Sequence, residues 1–219
     1  MGNEIDLLKN YPKTKRDISG RLESKTDEVR TIARKFEKEF FDGDRLYGYG
    51  GFSYNPRFWT PVIPTLQKHF SLTAKSSLLD VGSAKGFMMY DLAKSIPGIK
   101  VRGIDISQYA IENTIEEMQS FVQVADAKSL PFEDNSFDVV IAINTVHNLE
   151  INECGRALAE IQRVSRYGSF ITVDAFRNDK EKEIMAAWNL TAKTILHVDD
   201  WKKLFRDVGY TGDYFWFIP

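Results

Sequence analysis

Cysteine occurs once in 219 residues, at Cys154. A single thiol closes no internal disulfide and builds no cysteine-based zinc cluster. No stretch reaches 18 apolar residues, and residues 1–10 hold no long apolar run, so neither a membrane span nor a leader peptide is expected. An excess of one charge is lacking too, with 29 Lys plus Arg against 31 Asp plus Glu. Non-specific grip on nucleic acid needs clustered positive charge, so nucleic acid is not an expected partner. No histidine-acid cluster has metal-ligand spacing, and no metal is expected. What remains is an ordinary globular balance, 43% hydrophobic and 27% charged. Over this length it buries roughly 70% of the unfolded surface. The expectation is a soluble, cytoplasmic protein with no membrane contact; its oligomeric state stays open.

The pattern changes near Lys75. Residues 1–75 read as a helical and Gly/Tyr-rich extension, and residues 76–219 as the main domain. In the extension Val29, Ile32, Phe36 and Phe40 recur at helical spacing, which predicts one amphipathic helix over Asp27 to Phe41. The segment Asp42 to Arg57 follows, with Gly43, Gly48, Gly50 and Gly51 among Tyr47, Tyr49, Phe52 and Tyr54. Glycine permits tight backbone and the aromatics offer flat apolar faces with polar tips, so Tyr47 to Tyr54 is a candidate flap over a ligand. Pro61 and Pro64 lie in an apolar stretch, Phe58 to Phe70, read as a short helix that starts late.

After Lys75 strands and helices alternate. Apolar runs predict strands at Ser76 to Val81, Ile99 to Ile104, Phe121 to Ala125, Phe137 to Ile143 and Ser169 to Val173. Between them, Met88, Leu92 and Ile96 mark one helix, Gln108 to Met118 another with Ser107 as its N-cap, and Ala157 to Val164 a third. This rhythm predicts an α/β fold, a doubly wound Rossmann-like, mostly parallel sheet with flanking helices.

In such sheets ligands sit outside the carboxyl ends of the strands. The first strand runs into Asp80-Val81-Gly82-Ser83-Ala84-Lys85-Gly86, where glycine lets the backbone turn sharply and a ligand approach. The second ends at Asp105, a carboxylate placed to accept both hydroxyls of a ribose. The third ends at Asp126-Ala127. Three acids at three successive strand ends are hard to explain as solvated surface. A dinucleotide fingerprint wants glycines where this chain has Ala84 and Phe87, and has no use for the third acid, so a ligand without a pyrophosphate fits better.

On these residues the chain resembles class I S-adenosylmethionine-dependent methyltransferases, in the small-molecule group typified by ubiquinone and menaquinone biosynthesis. Leu78 to Gly86 is similar to the first motif of that family, Val101 to Ser107 to its ribose motif, and Asp126-Ala127 with Leu130 to Asp138 to its adenine-side motif. Glu160 to Ser165 resembles the helix before strand five. The resemblance implies S-adenosyl-L-methionine as cofactor. It puts Gly82, Ser83, Ala84 and Gly86 in the turn along the methionine part, with Asp80 near the ammonium. Asp105 would take the ribose hydroxyls, Ile106 would pack on the adenine, and Asp126 and Ala127 would meet its edge. The Asn144 carbonyl would face the methionine ammonium. Two departures stand out: Ala84 replaces a usual glycine, and only Tyr214 to Ile218 remains after the predicted helix Trp201 to Val208, too little for the usual antiparallel hairpin. The last strand is expected to be missing, unless Thr211 to Pro219 does double duty or the N-terminal part fills the edge.

Methyl transfer from a sulfonium is a direct displacement, so positioning dominates and a base serves only a nucleophile that must lose a proton. The candidates are His147, after strand four, Asp174 and Arg177, after strand five, and Tyr49 with Tyr47 in the flap. Trp188, Asn189 and Lys193 are placed on a long helix after strand five, near the acceptor. The leading expectation is methyl transfer to an O, N or C nucleophile of a small-molecule acceptor. The alternatives are an RNA or protein methyltransferase, and a non-catalytic S-adenosylmethionine or S-adenosylhomocysteine binder.

Overall fold

A computed structural model describes residues 2–13, 25–48 and 52–219. The extension contributes α1 (Asp27–Ala33), α2 (Lys38–Asp42), α3 (Pro56–Trp59) and α4 (Ile63–Phe70). The single helix expected over Asp27 to Phe41 is thus two. The chain turns at Phe36, whose φ of 52° is left-handed, a conformation that a helix of L-residues does not propagate. Of the expected stripe Val29 is buried, in a small cluster with Ala33 and Leu190, while Ile32, Phe36 and Phe40 are half-buried. Thr26 caps α1, accepting the Val29 N–H. Pro64 falls in the first turn of α4, where its missing N–H is harmless.

The main domain runs β1 (Ser77–Val81), α5 (Phe87–Ser95), β2 (Lys100–Asp105), α6 (Gln108–Glu112) and β3 (Val122–Val124). It continues with β4 (Phe137–Ile143), α7 (Ile151–Val164), β5 (Ser165–Phe176), α8 (Asp179–Trp188), β6 (Leu196–His197), α9 (Val198–Asp207) and β7 (Asp213–Phe217). Ser107 caps α6 as its spacing predicts, accepting from the Ala110 N–H. That helix stops at Glu112, short of the predicted Met118, and a 3-10 turn follows at Glu116–Phe121. Asn189 is the C-cap of α8 and Lys193 lies beyond it, so neither is on the helix as expected.

The strand order is β3-β2-β1-β4-β5-β6, with β7 also on β5, and every strand pairing is parallel. The pleat sends alternate residues to opposite faces. Leu79, Val140, Ala142, Ile171 and Val173 join one core with α7 and α9. Leu78, Val139, Ile141 and Phe170 join a second with α4 and α5. Both faces are covered, as an all-parallel sheet requires.

The last strand is present, against the expectation that it is missing. β5 is long enough for two neighbours along one edge: β7 pairs with Phe170 to Asp174, and β6 with Ala175 and Phe176. The edge beyond β7 is filled by the N-terminus. Ile5 N–H donates to the Tyr214 carbonyl at 2.9 Å, and Tyr214 N–H to the Asn3 carbonyl at 3.0 Å. Leu7 is buried in the second core, so the extension is packed on the sheet at both ends.

Candidate functional site

The carboxyl ends of β1 and β2 meet in a turn held by their own backbone. Gly82 and Ser83 N–H both donate to the Ile104 carbonyl, at 2.8 and 2.9 Å. Three alternate residues are left-handed: Gly82 at φ 83°, Ala84 at 48° and Gly86 at 76°. At Gly82 nothing larger fits, because a Cβ would lie 2.1 Å from Thr145 Oγ1. Gly86 is the N-cap of α5. Ser83 turns its hydroxyl to Gly103, where a Cβ would meet it at 2.7 Å, and that buried oxygen has no hydrogen-bond partner. The Ser83 side chain is therefore turned into the fold.

Two carboxylates stand under this turn. Asp105 Oδ2 accepts the Ala84 N–H at 2.8 Å and Oδ1 the Ser107 N–H at 2.9 Å. Burial raises its pKa, and the backbone N–H donors of Ser107, Ala84 and Ile106 oppose that rise. Asp80, only 5% exposed, has no hydrogen-bond or ion-pair partner among the described residues. Burial first, and the Asp105 charge second, push Asp80 up to about 8. A buried carboxylate without a donor is a costly arrangement that a cationic ligand relieves.

Around this pair Ile106 is 57% exposed at the end of β2, an apolar face left open. Asp126 Oδ1 accepts the Lys128 N–H at 2.9 Å, and its side chain stays 40% exposed beside Ala127. Asn144, at the end of β4, is left-handed at φ 53°, held by Thr172 Oγ1, which accepts its N–H and donates to its Oδ1. The Asn144 carbonyl accepts from Asn148 Nδ2 at 3.0 Å.

His147 and Asp174 come together, although 27 residues separate them. His147 Nδ1 accepts the Asp174 backbone N–H at 2.8 Å. The Asp174 carboxylate approaches the same nitrogen to 3.5 Å, but an Nδ1 that accepts carries no proton for it. The contact is that of a neutral imidazole, not of an ion pair. Burial lowers the His147 pKa and raises that of Asp174, in each case disfavouring the charged form. The His147 carbonyl accepts the Lys193 and Thr194 N–H groups, both at 3.0 Å, so the residue also fixes the loop after α8. Arg177 faces Glu4 and Glu181 at the surface. Tyr49 lies outside the described residues; Tyr47 packs near Val29, Ala33 and Leu190. Among the described residues no cluster of three or more His, Cys, Asp or Glu is placed to hold a metal, and no helix is long and apolar enough to cross a membrane.

Residues 79–173 match the methyltransferase-domain family. Over this stretch the chain is similar to methyltransferase domains, in line with the motifs of its sequence. The chain is 29% identical over 122 residues to a malonyl-[acyl-carrier protein] O-methyltransferase of Geobacter sulfurreducens, covering 54% of this chain and 45% of that one. It is 30% identical over 113 residues to the mouse mitochondrial arginine-hydroxylase NDUFAF5, covering 51% of this chain and 32% of that one. Among solved structures the MccD protein superposes with a TM-score of 0.52 at 27% identity, over 71% of this chain and 72% of that one. The chain spans about a third to about half of the length of these two curated relatives.

The residues at the strand ends would fit S-adenosylmethionine on three observations. Asp80 offers a carboxylate without a partner among the described residues, where an ammonium would stand, and Ile106 offers an exposed apolar face where an adenine would pack. Asp105 accepts from the turn's backbone and, with about four lone-pair sites on its carboxylate, retains capacity for a ribose hydroxyl. A cavity of about 610 Å³ lies elsewhere, at the opposite ends of the strands, against Phe70, Lys75, Val139 and Tyr167. That surface hollow is remote from the acids and carries none of this chemistry.

Ala84 is the strained member of the turn. Ala84→Gly is expected to raise stability by roughly 0.5–1 kcal/mol, the left-handed penalty less the extra chain entropy of glycine. In a thermal melt this reads as a gain of about 2 °C. An unchanged or lower midpoint would show that the Ala84 backbone carries no such strain.

Proposed function

We propose that this protein transfers the methyl group of S-adenosylmethionine to a nucleophile of a small-molecule acceptor. The observation that carries the reading is Asp80, a buried carboxylate without a donor among the described residues, beside the Asp105 carboxylate and next to a turn of left-handed residues. When bound, the cofactor supplies an electrophilic methyl carbon on a positively charged sulfur, open to direct displacement. Asp80 would hold the ammonium, Asp105 the ribose hydroxyls, Ile106 the adenine face, and Asp126 with Ala127 its edge. The Asn144 carbonyl would stand toward the methionine end.

On the acceptor side His147 orders the ends of β4 and β5. With its Nδ1 lone pair committed to Asp174 N–H, the imidazole does not draw a proton from the acceptor in this conformation. Positioning is then the main contribution of the chain. A nucleophile that is already ionised, such as a carboxylate oxygen, needs no base. The O-methyltransferase name of the Geobacter relative supports an oxygen acceptor of this kind.

A second reading is a cofactor-binding protein that transfers no methyl group. The name of the mouse relative, an arginine hydroxylase, shows that a protein sharing this domain is named for other chemistry. One experiment separates the readings: incubation with methyl-labelled S-adenosylmethionine and cell extract, split into acid-soluble and acid-precipitable fractions. Enzyme-dependent label in the soluble fraction is the expected result. Label in the precipitate would point to a macromolecular acceptor, and cofactor binding without any transfer would favour the second reading.

A further inference from the structure

The Gly82–Gly86 turn carries one side chain that the cofactor does not need. Lys85 is 5% exposed, although lysine is almost never fully buried unless paired. Its ammonium donates to Asp42 Oδ1 at 2.6 Å and to the Phe52 carbonyl. The other Asp42 oxygen accepts the Tyr109 hydroxyl at 3.0 Å. Phe41, buried next to Asp42, lies nearly parallel to the Tyr109 ring, with centroids 6.4 Å apart. Lys85 belongs to the loop after β1 and Tyr109 to the helix after β2, the two loops assigned to the cofactor. Asp42 and Phe52 belong to the extension, outside the residues 79–173 that match the family.

One carboxylate thus ties the extension to both cofactor loops. The Lys85 backbone is itself fixed: its carbonyl accepts the Ile115 N–H at 3.0 Å, and the preceding Ala84 N–H is held by Asp105. A ligand that fixes the turn therefore also fixes the reach of the ammonium. By linkage, docking of Asp42 and Phe52 must favour the same state of the turn. The extension also reaches the acceptor side. Arg30 of α1 and Arg34 at its C-cap donate to the carbonyls of Ala186, Asn189, Thr191 and Ala192, and the adjoining Lys193 and Thr194 N–H groups hold the His147 carbonyl.

We propose that Lys85 is a positioning residue that couples S-adenosyl-ligand binding to the docking of the N-terminal extension, through Asp42. The proposal rests on the cofactor reading above. It predicts that the ligand orders the extension and that the extension slows release of the ligand.

The test uses the full chain and S-adenosylhomocysteine as probe, with calorimetric affinity, stopped-flow dissociation and hydrogen exchange over residues 38–48 and 52–60. In the wild type the probe should increase protection in both segments. Lys85→Met and Asp42→Asn should each weaken binding about tenfold, the scale of one charge-assisted contact, mainly through faster dissociation. Both should lose the probe-dependent protection, an effect that a purely structural lysine would not produce. The double variant should bind no more weakly than Lys85→Met alone, because the two residues form one contact. Should Lys85→Met fail to fold, Asp42→Asn and Tyr109→Phe carry the same comparison. Binding within about twofold of the wild type in the folded variants, a difference smaller than one ordinary hydrogen bond, with protection retained, overturns the coupling alone. Absence of probe binding by the wild type overturns the cofactor reading, and the coupling with it.

Discussion

Asp80→Asn is expected to bind S-adenosylmethionine about 10- to 100-fold more weakly than the wild type, and yet to be the more stable protein at pH 8 without ligand. The loss follows from one charge-assisted contact to an ammonium, worth about 1.5–3 kcal/mol. The gain follows from burial. An ordinary aspartate ionises near 3.8 and Asp80 near 8, so between those values the folded chain keeps a proton that the unfolded chain has lost. The contribution of Asp80 to stability is complete below the ordinary value and is lost as pH rises through about 8. Asp105, also raised by burial, acts in the same direction. The ligand-free melting temperature should therefore fall from pH 5 toward pH 9 in the wild type, and fall less in Asp80→Asn.

Binding reverses this balance. A ligand ammonium favours ionised Asp80, so the complex should release a proton into solution at pH 7. Calorimetric binding enthalpies should then differ between phosphate and Tris by a fraction of the difference in buffer ionisation heats, and affinity should rise with pH up to about 8. Equal enthalpies in the two buffers would mean that Asp80 does not change its protonation on binding, and the ammonium assignment would fall.

The fold is largely legible in the sequence because its signals are local. The apolar run 137–143 cannot be a surface element, and the strand-end acids sit where parallel topology puts ligands. The failures are non-local or lack a composition signal. Phe36 breaks the first helix without a glycine or proline to announce it. The register of β7 on β5, and of residues 3–5 on β7, depends on partners 43 and more than 200 residues away. The site divides along the same line. Motif spacing marks Gly82, Asp105 and Asp126, but spacing does not show that Asp80 is left without a donor. Nor does it show that His147 spends Nδ1 on Asp174 N–H, which turns a candidate base into a residue that orders two strand ends. Lys85 passes as one more solvated lysine until Asp42, 43 residues earlier, is seen beneath it.

Asp105 should give the second large effect, and the choice of replacement decides what it reports. Asp105→Ala removes the ribose acceptor and at the same time strips the Ala84 and Ser107 N–H groups of their partner. Each stranded buried donor costs about 1–3 kcal/mol, so this variant should melt several degrees lower as well as bind weakly. Ala84, already left-handed, would lose the bond that holds it there, and the turn that carries Lys85 would loosen. Asp105→Asn separates the two contributions. Its amide oxygen can still accept one of the N–H groups, while its NH₂ offers a donor where a ribose hydroxyl needs an acceptor. The Asn variant should keep more of the stability and still lose about tenfold or more in cofactor affinity, the scale of one hydrogen bond to a charged group. Calorimetric affinity and a thermal melt on both variants check this. If Asn binds as the wild type does while Ala does not, Asp105 is a brace for the turn, and the ribose must be held by another group.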